Sequence, residues 1–157
     1  MEILNKQTID IINTIKFDER YIYLSKKYSK CSSNYTISLD KIKEILNTIG
    51  YKFQYYKNEN FFKINLGKYR EYSFYCHIII YNNTNFIDAG IYVMKKKSYI
   101  AGSLLNVMYQ EITNKEYVEK LYLKNEEEMM HLIKSIITLS EEFKKGFEII
   151  NRTVLKP

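Results

Sequence analysis

The sequence predicts an α+β fold: an antiparallel sheet of four to five strands flanked by N-terminal helices and a long C-terminal helix. Three observations predict it. Between residues 51 and 94, aromatic and β-branched residues alternate with polar ones in short runs closed by Asn, Lys, Glu or Gly, the pattern of an antiparallel meander. Before that stretch, apolar residues recur at helical spacing. After it, two capping-box signatures precede the clearest helical periodicity in the chain. A length of 157 residues suits a single domain, 1–157, able to bury a core without disulfide or metal staples.

The first helix is expected from Glu2 to about Lys16, with Leu4, Ile11, Ile12 and Ile15 on one stripe. Residues 17–37 show no single period. Tyr21, Tyr23 and Leu24 fit a short helix or a strand, and Ser29 to Asn34 reads as loop. Ser38 is an N-cap, its hydroxyl placed to accept from a free N–H of the first turn, with Asp40 at the positive end of the dipole. Leu39, Ile42, Ile45, Leu46 and Ile49 form the stripe of this second helix. Gly50 ends it, because glycine reaches the left-handed conformation at little cost.

In the first strand Tyr51, Phe53 and Tyr55 share one face and Lys52 and Gln54 the other. The second alternates Phe62, Ile64 and Leu66 with Lys63 and Asn65. The third, about Tyr72 to Tyr81, is apolar on both faces, which predicts a central strand with something covering each. A turn at Asn82 to Asn85 leads to a fourth strand, about Phe86 to Met94. Residues 99–112 admit two readings: a helix starting at Gly102-Ser103 and carrying Leu104, Leu105, Met108 and Ile112, or a fifth strand around Val107. Thr113 with Glu116 predicts a short helix to Tyr122. Asn125 with Glu128 opens the long C-terminal helix, with Met129, Ile133, Ile136, Ile137, Ser140 and Phe143 on one side. Gly146 either ends that helix or is passed through to Ile150. Helices gathered on one face of the sheet leave the other partly open, or closed by the C-terminal helix or by a second copy of the chain.

Charge is concentrated in the meander taken together with the adjoining lysine run to residue 97. Eight cations (Lys52, Lys57, Lys63, Lys68, Arg70, Lys95, Lys96, Lys97) stand against three anions (Glu59, Glu71, Asp88), so this stretch holds +5 of the chain's net +6. The lysines interleave with tyrosines, and Lys52, Tyr55, Tyr56, Lys63, Lys68, Tyr69, Arg70, Tyr75, Tyr92, Lys95, Lys96 and Lys97 are the candidate partner-binding residues. Tyrosine suits a protein interface because it joins contact area to a hydrogen-bonding tip. The same set could track phosphates and stack bases, which makes nucleic acid the alternative partner.

Chemistry is poorly provided for. Cys76 and His77 are adjacent on a strand and point to opposite faces, so a nucleophilic Cys76 would need His131 as its base. A small hydrolase built on Cys76 and His131 is the third reading. Asp88, beside Gly90 in an apolar strand, reads as an outward charge ahead of a general acid. Cys31, Cys76, His77 and His131 lack metal-ligand spacing, and neither a dinucleotide nor a P-loop motif occurs, so no metal and no cofactor is expected. No apolar run is long enough for a membrane span, and the first sixteen residues lack the marks of a secretory signal, which predicts a cytoplasmic protein with reduced thiols.

In its size, its order of elements and its lack of catalytic motifs, the whole chain resembles the small α+β immunity proteins of bacterial toxin–immunity pairs. That resemblance implies a non-enzymatic cytoplasmic inhibitor that binds a cognate toxin and covers its active site. The pI of about 9.1 departs from the acidic members that cap nucleases and suits a toxin with an acidic face. No functional residue is carried over from the family.

Overall fold

A computed structural model describes residues 4–30, 34–118 and 120–154, with side chains as far as 152. In chain order the elements are α1 (Lys6–Thr14), α2 (Phe17–Lys27), α3 (Leu39–Ile49), β1 (Phe53–Tyr56), β2 (Phe61–Tyr69), β3 (Tyr72–Ile80), β4 (Phe86–Lys95), β5 (Ser98–Leu104), α4 (Leu105–Thr113), β6 (Leu121–Tyr122) and α5 (Glu126–Val154). The fold is α+β, as the sequence predicts. The strands form one open antiparallel sheet in the order β1-β2-β3-β4-β5, with β6 paired to the start of β4.

Local chemistry sets most helix ends. Asn5 caps α1 by accepting from the Thr8 N–H at 2.9 Å, so the helix starts at Lys6 and not at Glu2. Of residues 17–37, Phe17–Lys27 form α2, whose Phe17, Tyr21 and Leu24 are buried at spacings of one turn, while residues 31–33 of the expected loop lie outside the described residues. Ser38 caps α3 through the Lys41 N–H at 3.2 Å, and Gly50 closes it at φ +83°. Asn125 and Glu128 form both arms of the α5 cap, accepting from Glu128 N–H at 2.8 Å and Lys124 N–H at 2.9 Å. The helix runs through Gly146 because α1 crosses there. A Cβ at Gly146 would lie 2.7 Å from Ile15 Cγ2.

Residues 99–112 combine the two readings with shifted bounds: a fifth strand forms, as β5 at Ser98–Leu104 rather than around Val107, and the helix follows it, starting at Leu105 rather than at Gly102-Ser103. Gly102 belongs to the sheet, at φ +107° and packed so tightly on the Ile91 carbonyl that no Cβ fits. The helix expected from Thr113 to Tyr122 does not form. Thr113 is the last residue of α4, its hydroxyl donating back to the Tyr109 carbonyl at 2.7 Å, and Asn114 turns left-handed. The chain returns as β6, where buried Leu121 and Leu123 flank half-buried Tyr122. A period of two paired to β4 overrides the local capping signal.

Alternation then sorts the sheet. Phe62, Ile64 and Leu66, Phe74, Cys76 and Ile78, and Ile87, Ile91 and Val93 are buried. They pack beneath the helices, with Phe147 of α5 edge-on to Tyr72 and Phe74. Burying each Phe or Ile contributes about 1.5–3 kcal/mol, so this face anchors the fold. β3 is central, as expected. However, α5 packs on the same side of the sheet as the other described helices, so it does not close the opposite face.

Candidate partner-binding face

The face opposite the helices carries alternate residues of the same strands: Tyr56 of β1, Phe61, Lys63 and Asn65 of β2, Tyr75, His77 and Ile79 of β3, and Phe86, Asp88, Tyr92 and Met94 of β4. Except for exposed Asn65, each is half-buried with no described helix above it. The side chains shelter one another. Tyr56 stacks on its pair mate Phe61, with centroids 4.8 Å apart and planes within 6°. Phe61 meets His77 at 4.7 Å and His77 meets Tyr92 at 4.6 Å, continuing the row across the sheet. Lys63 Nζ stands 4.1 Å from the Tyr75 ring centre, a cation–π contact that hides part of an otherwise apolar stripe. This mutual covering explains how β3 can be apolar on both faces with a helix layer on only one.

Electrostatics here are muted. Burial and the neighbouring Lys63 ammonium hold the His77 imidazole down at about 4, so the ring is neutral around pH 7. Asp88 accepts from the Tyr81 hydroxyl at 2.6 Å, and that bond pushes the Tyr81 phenol up to about 12. At the far end Lys120 Nζ lies 4.0 Å from the Phe86 ring centre.

The structure divides the residues singled out in the sequence. Tyr56, Lys63, Tyr75 and Tyr92 share the open face. Lys52 joins them at the β1 edge, lining a shallow cavity of about 280 Å³ with Gln54, Lys63, Asn65 and Tyr75. Lys68, opposite Ser73, and the turn residues Arg70, Lys96 and Lys97 gather at one end of the sheet, where the β2–β3 and β4–β5 hairpins lie side by side. Three candidates fall on the helix side instead. Tyr55 packs on Phe62 beneath Lys43 and donates to Asn60 at 2.6 Å. Lys95 reaches Glu71 at 3.1 Å and lies over Tyr72. Tyr69 pairs with Tyr72 and packs against the core. The cause for Tyr69 is a bulge: the register shifts between Asn65 and Lys68, around Gly67 at φ +90°, and one extra residue reverses which face each later side chain meets. Sequence reasoning missed Phe61 and the part His77 plays in the ring row. Extending the alternation of β2 back by one residue would have found Phe61.

The residues considered for catalysis do not converge. Cys76 is wholly buried on the helix side, its thiol pushed up to about 12 by burial against a weaker opposing contact from the Ser140 hydroxyl. His131 is exposed on α5, away from a wholly buried thiol that would itself resist ionisation. Among the described residues no three His, Cys, Asp or Glu side chains cluster as a metal site, and no helix is long and apolar enough to cross a membrane. Cys31 lies outside the described residues. Compared with family models, curated proteins and solved structures, the chain matches none.

Proposed function

We propose that this chain is a non-enzymatic binding protein that holds one protein partner on the open face of its sheet, and that it acts as an immunity protein or inhibitor neutralising a bacterial toxin. One observation carries this reading. The described helices lie on one side of the sheet, and the other side is a half-exposed aromatic surface with Lys63 near its centre, Lys52 at its edge and Lys68, Arg70, Lys96 and Lys97 at one end. An aromatic centre depleted of charge inside a polar rim is the anatomy of a protein interface. The toxin-neutralising role is supported by the size and element order that resemble immunity proteins, and the basic rim suits a partner with an acidic face.

The test is co-expression with the product of an adjacent toxin-like reading frame. The expected result is restored growth together with a 1:1 complex, both lost with Tyr75→Glu. Restored growth without a complex, or recovery of chemically altered toxin, would overturn the reading.

The basic end of the sheet, with Lys68, Arg70, Lys96 and Lys97 beside the aromatic row, favours nucleic acid as a second reading. Binding to random oligonucleotides with a steep log–log salt dependence would support it, and no binding at low salt would remove it.

A further inference from the structure

The two edges of the sheet are treated differently. The outer edge of β5 is sealed by the start of α1. Asn5 Nδ2 donates to the Ile100 carbonyl at 2.7 Å, the Gly102 N–H donates to Thr8 Oγ1 at 2.9 Å, and the Tyr99 hydroxyl donates to the Gly102 carbonyl. Natural sheets cover edges in this way because an uncovered edge pairs with other chains.

β1, at the other end of the strand order, pairs with β2, and among the described residues no strand pairs with its other side. The Asn65 N–H donates to the Lys52 carbonyl at 2.9 Å. Inward-facing groups therefore belong to Lys52, Gln54 and Tyr56, and the N–H and C=O of Phe53 and Tyr55 point outward. Beside this edge, on the open face, lies the shallow cavity bounded by Lys52 and Lys63. On the opposite face the half-buried rings of Phe53 and Tyr55 flank it.

We infer that β1 is a docking edge for an extended acidic segment of the partner, which adds to the sheet as an antiparallel strand. This deepens the protein-binding reading and rests on it. Backbone groups of Phe53 and Tyr55 supply the ladder, and alternate side chains supply the selection. One set falls on the open face, where carboxylates meet Lys52 and Lys63. The other falls over Phe53 and Tyr55 and is apolar. A second copy of this chain fits the edge less well, since it would bring the same cations to both sides of the seam.

The test uses the full chain and a fluorescent peptide of alternating glutamate and valine, followed by anisotropy. Two N-methylated isomers fix the geometry. In an antiparallel strand the residues sharing a face with Phe53 and Tyr55 point their N–H groups at β1, so methylating the valines abolishes binding and methylating the glutamates spares it. Lys52→Glu, an exposed change, weakens binding about ten-fold or more. Equal binding of the two isomers, loss in the glutamate-methylated isomer alone, or no binding of the unmodified peptide overturns strand addition. So does light scattering that shows a dimer competing with the peptide. Any of these would leave the toxin complex itself to stand or fall on the co-expression result.

Discussion

The ring of Tyr92 lies against Gly90, two residues earlier on the same strand: a Cβ at Gly90 would stand 2.7 Å from Tyr92 Cε2. The missing side chain makes room for the ring, and the ring shelters His77 from water at 4.6 Å. Gly90→Ala should therefore move a ring rather than break the fold. Alanine gains about 0.5–1 kcal/mol over glycine in a strand, which offsets the displaced contact, so stability changes by less than about 1 kcal/mol. The readout is NMR of His77, whose ring protons lose their upfield shift and whose pKa climbs back from about 4.

His77 also gives the protein an acid limit. Free in the unfolded chain, histidine titrates near 6.5, and in the folded protein burial and Lys63 hold it at about 4. Between those values the unfolded chain takes up a proton that the folded chain refuses. Stability present above pH 6.5 is lost as pH falls toward 4. Allowing for partial exposure of the ring, the loss by pH 4.5 is on the order of 1–2 kcal/mol. His77→Phe keeps the ring row and removes the titration. Urea unfolding at pH 7 and pH 4.5 should show the gap between the two conditions narrowing by that amount in the variant.

Gly146→Ala sets helix propensity against packing. Within a helix the change gains about 1 kcal/mol. Here the new methyl would meet Ile15 Cγ2 at 2.7 Å and Ile11 Cγ2 at 3.2 Å, and overpacking of this kind costs about 1–3 kcal/mol. The net expectation is destabilisation, measured by urea unfolding. An alanine at an exposed α5 position such as Lys145 serves as the control and leaves stability nearly unchanged.

Cys76 should be chemically silent in the native protein. Wholly buried and with its thiol held high, it should resist iodoacetamide at pH 8 and react once urea unfolds the chain, as peptide mass mapping will read at that site. Cys76→Ser places a hydroxyl in the same apolar layer and should cost about 1–3 kcal/mol.

The sequence made legible whatever local periodicity and capping decide. Ser38 and Gly50 bracket α3, Asn125 and Glu128 open α5, and alternation in residues 72–81 identifies β3 as central. Contacts far along the chain decided the rest. Thr113 and Glu116 carry a capping signature, yet pairing of Leu121 with Ile87 draws the segment into the sheet. Tyr69 continues the alternation of β2 on paper, but the bulge around Gly67 reverses its face. Glycine inside a strand pattern is a known sign of such a bulge. The open face was legible only in part as a cluster of tyrosines and lysines, since Tyr55, Tyr69 and Lys95 of that cluster fall on the helix side. That the cations sit at its edge and end, with aromatic rings between them, depended on hairpin register that composition does not encode.

The most direct measurement of the central claim is calorimetric titration of the chain with the toxin that the co-expression test identifies, using one charge substitution on each side of the molecule. Tyr75→Glu alters the open face, and Thr138→Glu alters the exposed side of α5. Thermal melts confirm that both variants fold. If the open face makes the contacts, Tyr75→Glu weakens binding by at least about 30-fold and Thr138→Glu leaves it unchanged. Full affinity in Tyr75→Glu, with loss in Thr138→Glu, would contradict the account and move the interface to the helices.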